Sequence, residues 1–313
     1  MRRPEPPAAT AERLTPGDID TLNRLFSDAF TDRYSRDGMV GVRVPFLNPA
    51  VWRYAIEAAG EGAMAWRDPQ GHLIAFNLAH LSGTEGWMGP LAVRPDRQNA
   101  GLGRTIVRAA IGWLRERGAA TIGLETMPRT VENIGFYSRL GFVPTRLTIT
   151  MVHDADRRPR NATPLAGPTA IEECRALAAR ILPGIDFERE LILTHDLDLG
   201  GLTIVRRGSE LASFALWHTA PLASGRPRDE LRVLKLAAVD DAAFIDLLAE
   251  LRVRAAAERV RRVSLRCQTE YTGAYRALVD AGFRVHWTDL RMVLFDRPSA
   301  VAPDGLVLSN WEI

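Results

Sequence analysis

The alternation of apolar and polar positions divides this chain into short strands and amphipathic helices. Ala11 to Leu14 reads as a first strand, after which Ile19, Leu22, Leu25, Phe26 and Phe30 keep a helical period. Thr15 suits the N-cap of that helix, Pro16 its first position and Asp18 its positive end. Residues Thr31–Asn48 lose the period and hold Tyr34, Gly38, Gly41 and Pro45, so an irregular segment is expected before a second helix at about Ala50–Ala59. Ala63–Arg67 and Leu73–His80 alternate as a hairpin closed by Asp68-Pro69-Gln70-Gly71. Trp87–Val93 is the next strand, and Pro90 inside it requires a break in the ladder such as a bulge. A helix with Leu102, Ile106, Ala110 and Trp113 or Leu114 on one face follows. After it come a strand at Ala120–Glu125 and a helix closing on Phe136-Tyr137-Ser138-Arg139-Leu140-Gly141-Phe142.

The remainder repeats this order. A polar stretch at residues 154–164, with Pro159 and Pro164, reads as a linker. Gly167-Pro168 then precedes a helix whose Thr169 and Glu172 suit a capping box. Thr203–Val205 and Leu211–His218 repeat the hairpin, and Leu231–Ala237 the following strand. Phe244, Leu247, Leu248, Leu251 and Ala255 repeat the helix stripe, and Ala281-Gly282-Phe283 echoes Leu140-Gly141-Phe142. Glu258 to Cys267 runs in step with Glu116 to Glu125 at a constant offset of 142 (258 − 116 and 267 − 125). Six elements in order predict two units of one fold, at residues 1–153 and 165–313. The tail residues Leu306, Leu308 and Trp311 are apolar enough to dock.

Composition narrows the function class. The 313 residues are 46 % hydrophobic, enough for two cores. A net charge of +2 argues for neither nucleic acid nor a membrane surface as partner. Nearly all the basic residues are arginine, Lys235 being the only lysine, as a GC-rich genome would give. Cys174 and Cys267 do not form a disulfide framework or a metal site, and no leader or membrane span is evident, so a soluble cytoplasmic protein is expected.

The chemistry concentrates between residues 89 and 104. A strand runs into a turn with Gly101 and Gly103, and a helix opens directly behind it. Bare N–H groups at such a junction, backed by the helix dipole, form a concavity for phosphate. The Gly-Lys-Ser/Thr end of a P-loop is missing, as is the third glycine of a dinucleotide fingerprint. Gln98-x-x-Gly101-x-Gly103, followed in register by Phe136-Tyr137-x-x-Leu140-Gly141-Phe142, resembles the GCN5-related N-acetyltransferase (GNAT) family.

That resemblance implies an α/β (α+β) chain of two tandem GNAT-like domains, each a mixed, mostly antiparallel twisted sheet flanked by helices. It also implies an acetyl-CoA-dependent N-acetyltransferase acting on a primary amine of a small-molecule or peptide acceptor. Backbone of Leu91, Ala92 and Val93 would pair with the pantetheine arm, and the N–H groups of Gln98, Asn99, Ala100, Gly101, Leu102, Gly103 and Arg104 would hold the pyrophosphate. Tyr137 takes the family's general-acid position and Glu125 the strand end that often carries a base. Phe136 and Asn133 would border the cofactor, although the family places its asparagine about seven residues before the tyrosine, where this chain has Thr130. Thr31–Asn48 corresponds to the segment over the acceptor pocket, and His80 and Glu85 are further groups near it.

The second unit lacks this chemistry. Its loop after Leu236 is short, has no glycine and carries Asp240 and Asp241, which would repel a pyrophosphate. Leu278 stands where Tyr137 does, and Cys267 falls at the place of Glu125 as a buried thiol. The expectation is one working and one silent unit, without metal, as a monomer or homodimer. A protein using a longer acyl-CoA, or a non-catalytic acyl-CoA sensor, is the alternative.

Overall fold

A computed structural model describes residues 11–156, 167 and 170–311. Strand β1 (Glu12–Arg13) leads to Thr15, whose N–H and hydroxyl both donate to the Asp18 carboxylate at 3.0 Å and so start helix α1 (Ile19–Arg36). This helix runs to Arg36, past the expected break at Thr31, with Asp32–Arg36 and Arg33–Asp37 ion pairs one turn apart at 2.7 and 2.6 Å on its last turns. Helix α2 (Pro49–Ala59) is capped by Asn48, whose side chain accepts from the Ala50 N–H. Strands β2 (Ala63–Arg67), β3 (Leu73–Ser82) and β4 (Glu85–Val93) form a meander. Helix α3 (Leu102–Glu116), strand β5 (Thr121–Thr126), helix α4 (Val131–Ser138) and strand β6 (Phe142–Asp154) complete the first half.

The second half follows the same order. It comprises α5 (Ala170–Ile181), α6 (Glu188–Asp196), β7 (Gly200–Arg207), β8 (Glu210–His218), β9 (Glu230–Ala238), α7 (Asp241–Ala257), β10 (Arg262–Gln268), α8 (Thr272–Asp280) and β11 (Arg284–Leu294). A last strand, β12 (Leu306–Ser309), is the tail the sequence expected to dock. The Thr169 cap and linker residues 157–164 lie outside the described residues.

Twelve strands make one sheet, and the two halves exchange strands at its centre. The order is β1-β2-β3-β4-β5-β11-β6-β10-β9-β8-β7, with β12 on β9. Thus β11, from the second half, pairs with β5 of the first, while β6, from the first, pairs with β10 of the second. The exchanged strands pair with each other from Arg284↔Val152 to Leu294↔Phe142. Neither half closes its own sheet.

Register assigns the faces. Leu290 packs with the cluster under α3 and α4, and it pairs with Leu147; two residues further on, Ile149 joins the cluster under α7 and α8. Those four helices therefore share one face of the sheet. The residues that alternate with them, such as Phe76, Leu78, Phe214 and Leu216, pack under α1, α2, α5 and α6 on the other face. No helix among the described residues is long and apolar enough to cross a membrane.

Candidate active site

Strand β4 carries the break that Pro90 required. Leu91 pairs with Asn77 and Met88 with Ala79, so Gly89 and Pro90 together oppose Leu78 alone, a bulge in the β3–β4 ladder. On its other edge β4 runs parallel to β5 only through Glu85↔Thr121, Gly86↔Ile122 and Trp87↔Gly123. Beyond Trp87 the two strands diverge, and the backbone of Leu91, Ala92 and Val93 keeps an edge with no strand beside it among the described residues.

That open edge leads straight into the glycine loop. The Gln98 side chain donates to the Val93 carbonyl at 3.0 Å and pins the turn. Asn99 (φ 62°) and Gly101 (φ 88°) are left-handed, a conformation that glycine accepts freely and asparagine more readily than most residues. Among the described residues, the N–H groups of positions 99 to 103 have no acceptor; the first helical bonds are those of Arg104 and Thr105 to the Gly101 carbonyl. Five bare amides at the positive end of a 15-residue helix make an anion cradle. Arg104 is exposed there and has no carboxylate partner among the described residues. The residues present fit a diphosphate whose adjoining arm lies along β4.

Helix α4 closes the loop's other side. A Cβ at Gly103 would meet the Phe136 ring at 3.5 Å, an ordinary contact, so the loop and Phe136 are neighbours. Tyr137 packs edge-on to Phe136 and Phe142, and burial pushes its phenol up to about 12. No donor or acceptor among the described residues engages its hydroxyl. Asn133, half-buried one turn earlier, lies on the same helix. The fully buried Thr130 hydroxyl donates to Asp37 at 2.7 Å and ties α4 to the end of α1.

Glu125 is placed differently. It lies on β5 but points to the opposite face from Leu124, which packs in the same cluster as Tyr137. Arg291 donates to its Oε1 through Nε and Nη2 at 2.9 and 2.8 Å, Thr148 donates to the same oxygen at 2.5 Å, and Arg266 donates to Oε2 at 2.7 Å. Its side chain is 1 % exposed. Burial alone would raise the carboxyl, but Arg266, Arg291 and Thr148 outweigh it and hold the group below the usual carboxylate range. Arg266 also bonds Asp289, which burial pushes up, with the nearby Glu125 charge adding to the rise against Arg266.

A second polar cluster adjoins this one. Lys235 is buried, donates to the Ser309 hydroxyl and the Asn310 carbonyl, and lies 4.2 Å over the Trp87 ring. Ser309 donates in turn to Glu85 at 2.6 Å. His80 stacks on Trp87, and burial with the Lys235 charge lowers it to about 3, partly offset by its bond to the Gly89 backbone. Trp311 lies against Gly123, where any Cβ would come within 2.3 Å of its ring, and Arg291 sits 3.7 Å over its face. The sequence reading named His80 and Glu85 but missed Arg266, Arg291, Lys235 and Ser309, because the exchanged strand β11 and the tail bring them together. Of these, only Arg291 lies in the alternating residues 284–294.

In the second half the matching opening is filled. Strands β9 and β10 pair in parallel through Arg262↔Glu230, Val263↔Leu231 and Ser264↔Arg232, then diverge as β4 and β5 do. Strand β12 enters at that point and pairs with β9 from Ser309↔Lys235 to Leu306↔Ala238, while Gln268 on β10 donates to the Ser309 carbonyl. The short loop behind it is committed as well. Asp240 caps α7 at the Ala243 N–H and takes both Arg207 nitrogens at 2.6 and 2.8 Å, which with the cap lowers it to about 2. Cys267 is buried, and burial pushes it up to about 12. No group of three metal-ligating side chains occurs among the described residues.

Comparison with known proteins adds independent support. Residues 20–142 match the model of the acetyltransferase (GNAT) family. Over 72 residues, 23 % of this chain and 49 % of the relative, the sequence is 36 % identical to the ribosomal protein bS18-alanine N-acetyltransferase of Escherichia coli. The chain spans about half the length of the curated relatives it matches. A GCN5-related N-acetyltransferase from Sphaerobacter thermophilus superposes with a TM-score of 0.62 at 17 % identity, covering 94 % of this chain and 98 % of that one. A tandem GNAT protein from the clavulanic acid biosynthesis pathway superposes with a TM-score of 0.59 at 14 % identity, covering 93 % and 99 %. At such identities these two structures share the fold with this chain.

Proposed function

We propose, from the match of residues 20–142 to the acetyltransferase (GNAT) family model, an acyl-CoA-dependent N-acetyltransferase with one donor site, in the unit at residues 1–153. The observation that carries the reading is the pairing of one open strand edge with five bare amides in the first half, against a filled opening in the second. In this reading the edge of Leu91–Val93 holds the amide arm of acetyl-CoA and residues 98–104 its diphosphate, with Asn133 and Phe136 alongside. When bound, acetyl-CoA supplies an activated thioester carbonyl.

The chain's own part is to hold, align and protonate. Alignment alone supplies roughly 7–11 kcal/mol of such a barrier, so few charged catalysts are needed. Tyr137 keeps its proton at neutral pH, since burial raises it to about 12, and its Oη is the proton donor of the site. Glu125 is reassigned here from base to fixed anion: two guanidinium groups hold its charge, and a proton acceptor needs the reverse. The acceptor is a primary amine of a small molecule or peptide that arrives neutral, and the unit at residues 165–313 walls its cleft.

Calorimetry with acetyl-CoA and free-thiol release against a panel of amines test this together. One mole of acetyl-CoA per chain and amine-dependent release that Tyr137→Phe abolishes are expected. Binding without release on every amine turns the reading to a sensor, and no binding removes it.

A further inference from the structure

A cavity lies apart from the donor site. It measures about 540 Å³ and lies in the second half, between the β8–β9 connection and the central strands β9, β10, β6 and β11. It opens on the face that carries Glu125, because Thr150, Ser264 and Arg232 alternate with residues of the α7/α8 cluster. Its roof is anchored to the other half: Asn48 N–H donates to the Leu222 carbonyl at 2.9 Å, Ser224 N–H to the Phe46 carbonyl at 2.8 Å, and Leu47 bridges Ala223. The segment expected to overhang the acceptor therefore ends on this roof.

The lining has a surplus of guanidinium. Arg232 is sunk in the floor and donates one bond to the Ala220 carbonyl at 3.0 Å; the charge of Glu230 acts on it, but no carboxylate lies within ion-pair distance among the described residues. Arg226 on the roof likewise has no ion pair among them. Arg266 is matched by Glu125 and Asp289, and Glu230 bonds Arg262 at 3.3 Å while also acting on Arg232, so Arg226, Arg232 and Arg262 face only Asp229 and Glu230 in the lining. A sunken guanidinium is costly unless an anion completes its shell. The Thr150 and Ser264 hydroxyls have no side-chain partner among the described residues, and the mouth is apolar, with Trp287 42 % and Leu222 42 % exposed.

We propose that this cavity binds the oxyanion end, carboxylate or phosphate, of the acceptor, with Arg232 and Arg226 as its ligands and Trp287 against its apolar body. This deepens the acetyltransferase reading and rests on it for the word acceptor. Four strand spacings of about 4.8 Å separate Arg232 on β9 from β5 through β10, β6 and β11, so anion and amine stand about 19 Å apart in an extended acceptor.

The test uses hippurate, its neutral amide hippuramide and phenyl phosphate, titrated by calorimetry into the full chain without acetyl-CoA. Hippurate or phenyl phosphate should bind, the neutral amide and Arg232→Gln should each weaken binding by at least about tenfold, and Arg226→Ala by a smaller factor. The tighter of the two anions names the source. If neither anion binds, or if Arg232→Gln with an unchanged melting point and Arg226→Ala both bind as the wild type does, the site is refuted. Acetyl-CoA is titrated separately: its failure with hippurate bound overturns the transferase reading and leaves the anion site standing.

Discussion

Replacing Glu125 by glutamine separates the two roles considered for it. As a fixed anion it neutralises Arg266 and Arg291 inside the sheet; as a base it would be needed only for turnover. The amide keeps the shape but removes the charge, and turns an N–H donor towards one of the arginines. Breaking a buried ion pair by removing one partner costs about 3–5 kcal/mol. Here the lower end applies, because Arg266 keeps Asp289 and Arg291 keeps its 2.7 Å bond to the Ser309 carbonyl.

At about 2.1 cal/mol/K per residue the 313-residue chain unfolds with about 0.65 kcal/mol/K, so about 3 kcal/mol lowers the melting point by roughly 5 °C. The exchanged strands β6 and β11 couple the halves, so scanning calorimetry should show one transition moving as a whole. Because the folded carboxyl sits below its unfolded value of about 4.3, its contribution is full above that pH and is lost as pH falls through the folded value. The gap between wild type and variant should close accordingly in acid. Glu125→Leu with Arg291→Met should recover part of the loss. A variant with unchanged melting point and a rate reduced by more than about 10²-fold would refute the ion-pair role and restore the base.

Other outcomes follow from the same geometry. Tyr137→Phe should lower kcat by roughly 10²–10⁴-fold, and since the phenol sits at about 12, wild-type kcat should show no basic limb from it below pH 10. Gly103→Ala meets Phe136 only at contact distance, so circular dichroism should show an intact fold while acetyl-CoA affinity drops by about tenfold as the methyl enters the cradle. Trp311→Ala empties a fully buried site against Gly123 and should cost about 3–5 kcal/mol by denaturant titration, although Trp311 belongs to the tail.

Local order was legible because local chemistry set it. The Thr15–Asp18 cap, the Pro90 break and the glycine loop each depend on a few adjacent residues, and each is present. Helix α1 outran its expected end because the reading at Thr31 weighed apolar spacing and not the charge pairs of Asp32 and Arg33. The site's far side was not legible. Nothing in residues 142–154 or 284–294 states that each strand will enter the other half's sheet, since alternation specifies a face and not a neighbour. Glu125 looked like a free strand-end carboxylate for the same reason: its arginines come from β10 and β11, 141 and 166 residues away.

The repeat raises the question of why one opening stays free and its copy does not. A diverging parallel pair leaves backbone N–H and C=O groups without partners, a condition that proteins avoid by covering the edge. In the second half the cover is β12, which pairs with β9 over four residues from the point of divergence and then delivers Trp311 to the floor beneath Gly123. The same tail residues, Ser309 and Asn310, hold Lys235, and Ser309 also donates to Glu85 on β4, so filling one opening also sets the wall beside the other. The first half leaves Leu91–Val93 uncovered directly beside five amides that also lack acceptors. Two adjacent deficits of backbone pairing are costly if left to water-poor space and cheap if one extended ligand with an anionic end meets both, which is why the open copy reads as the donor site.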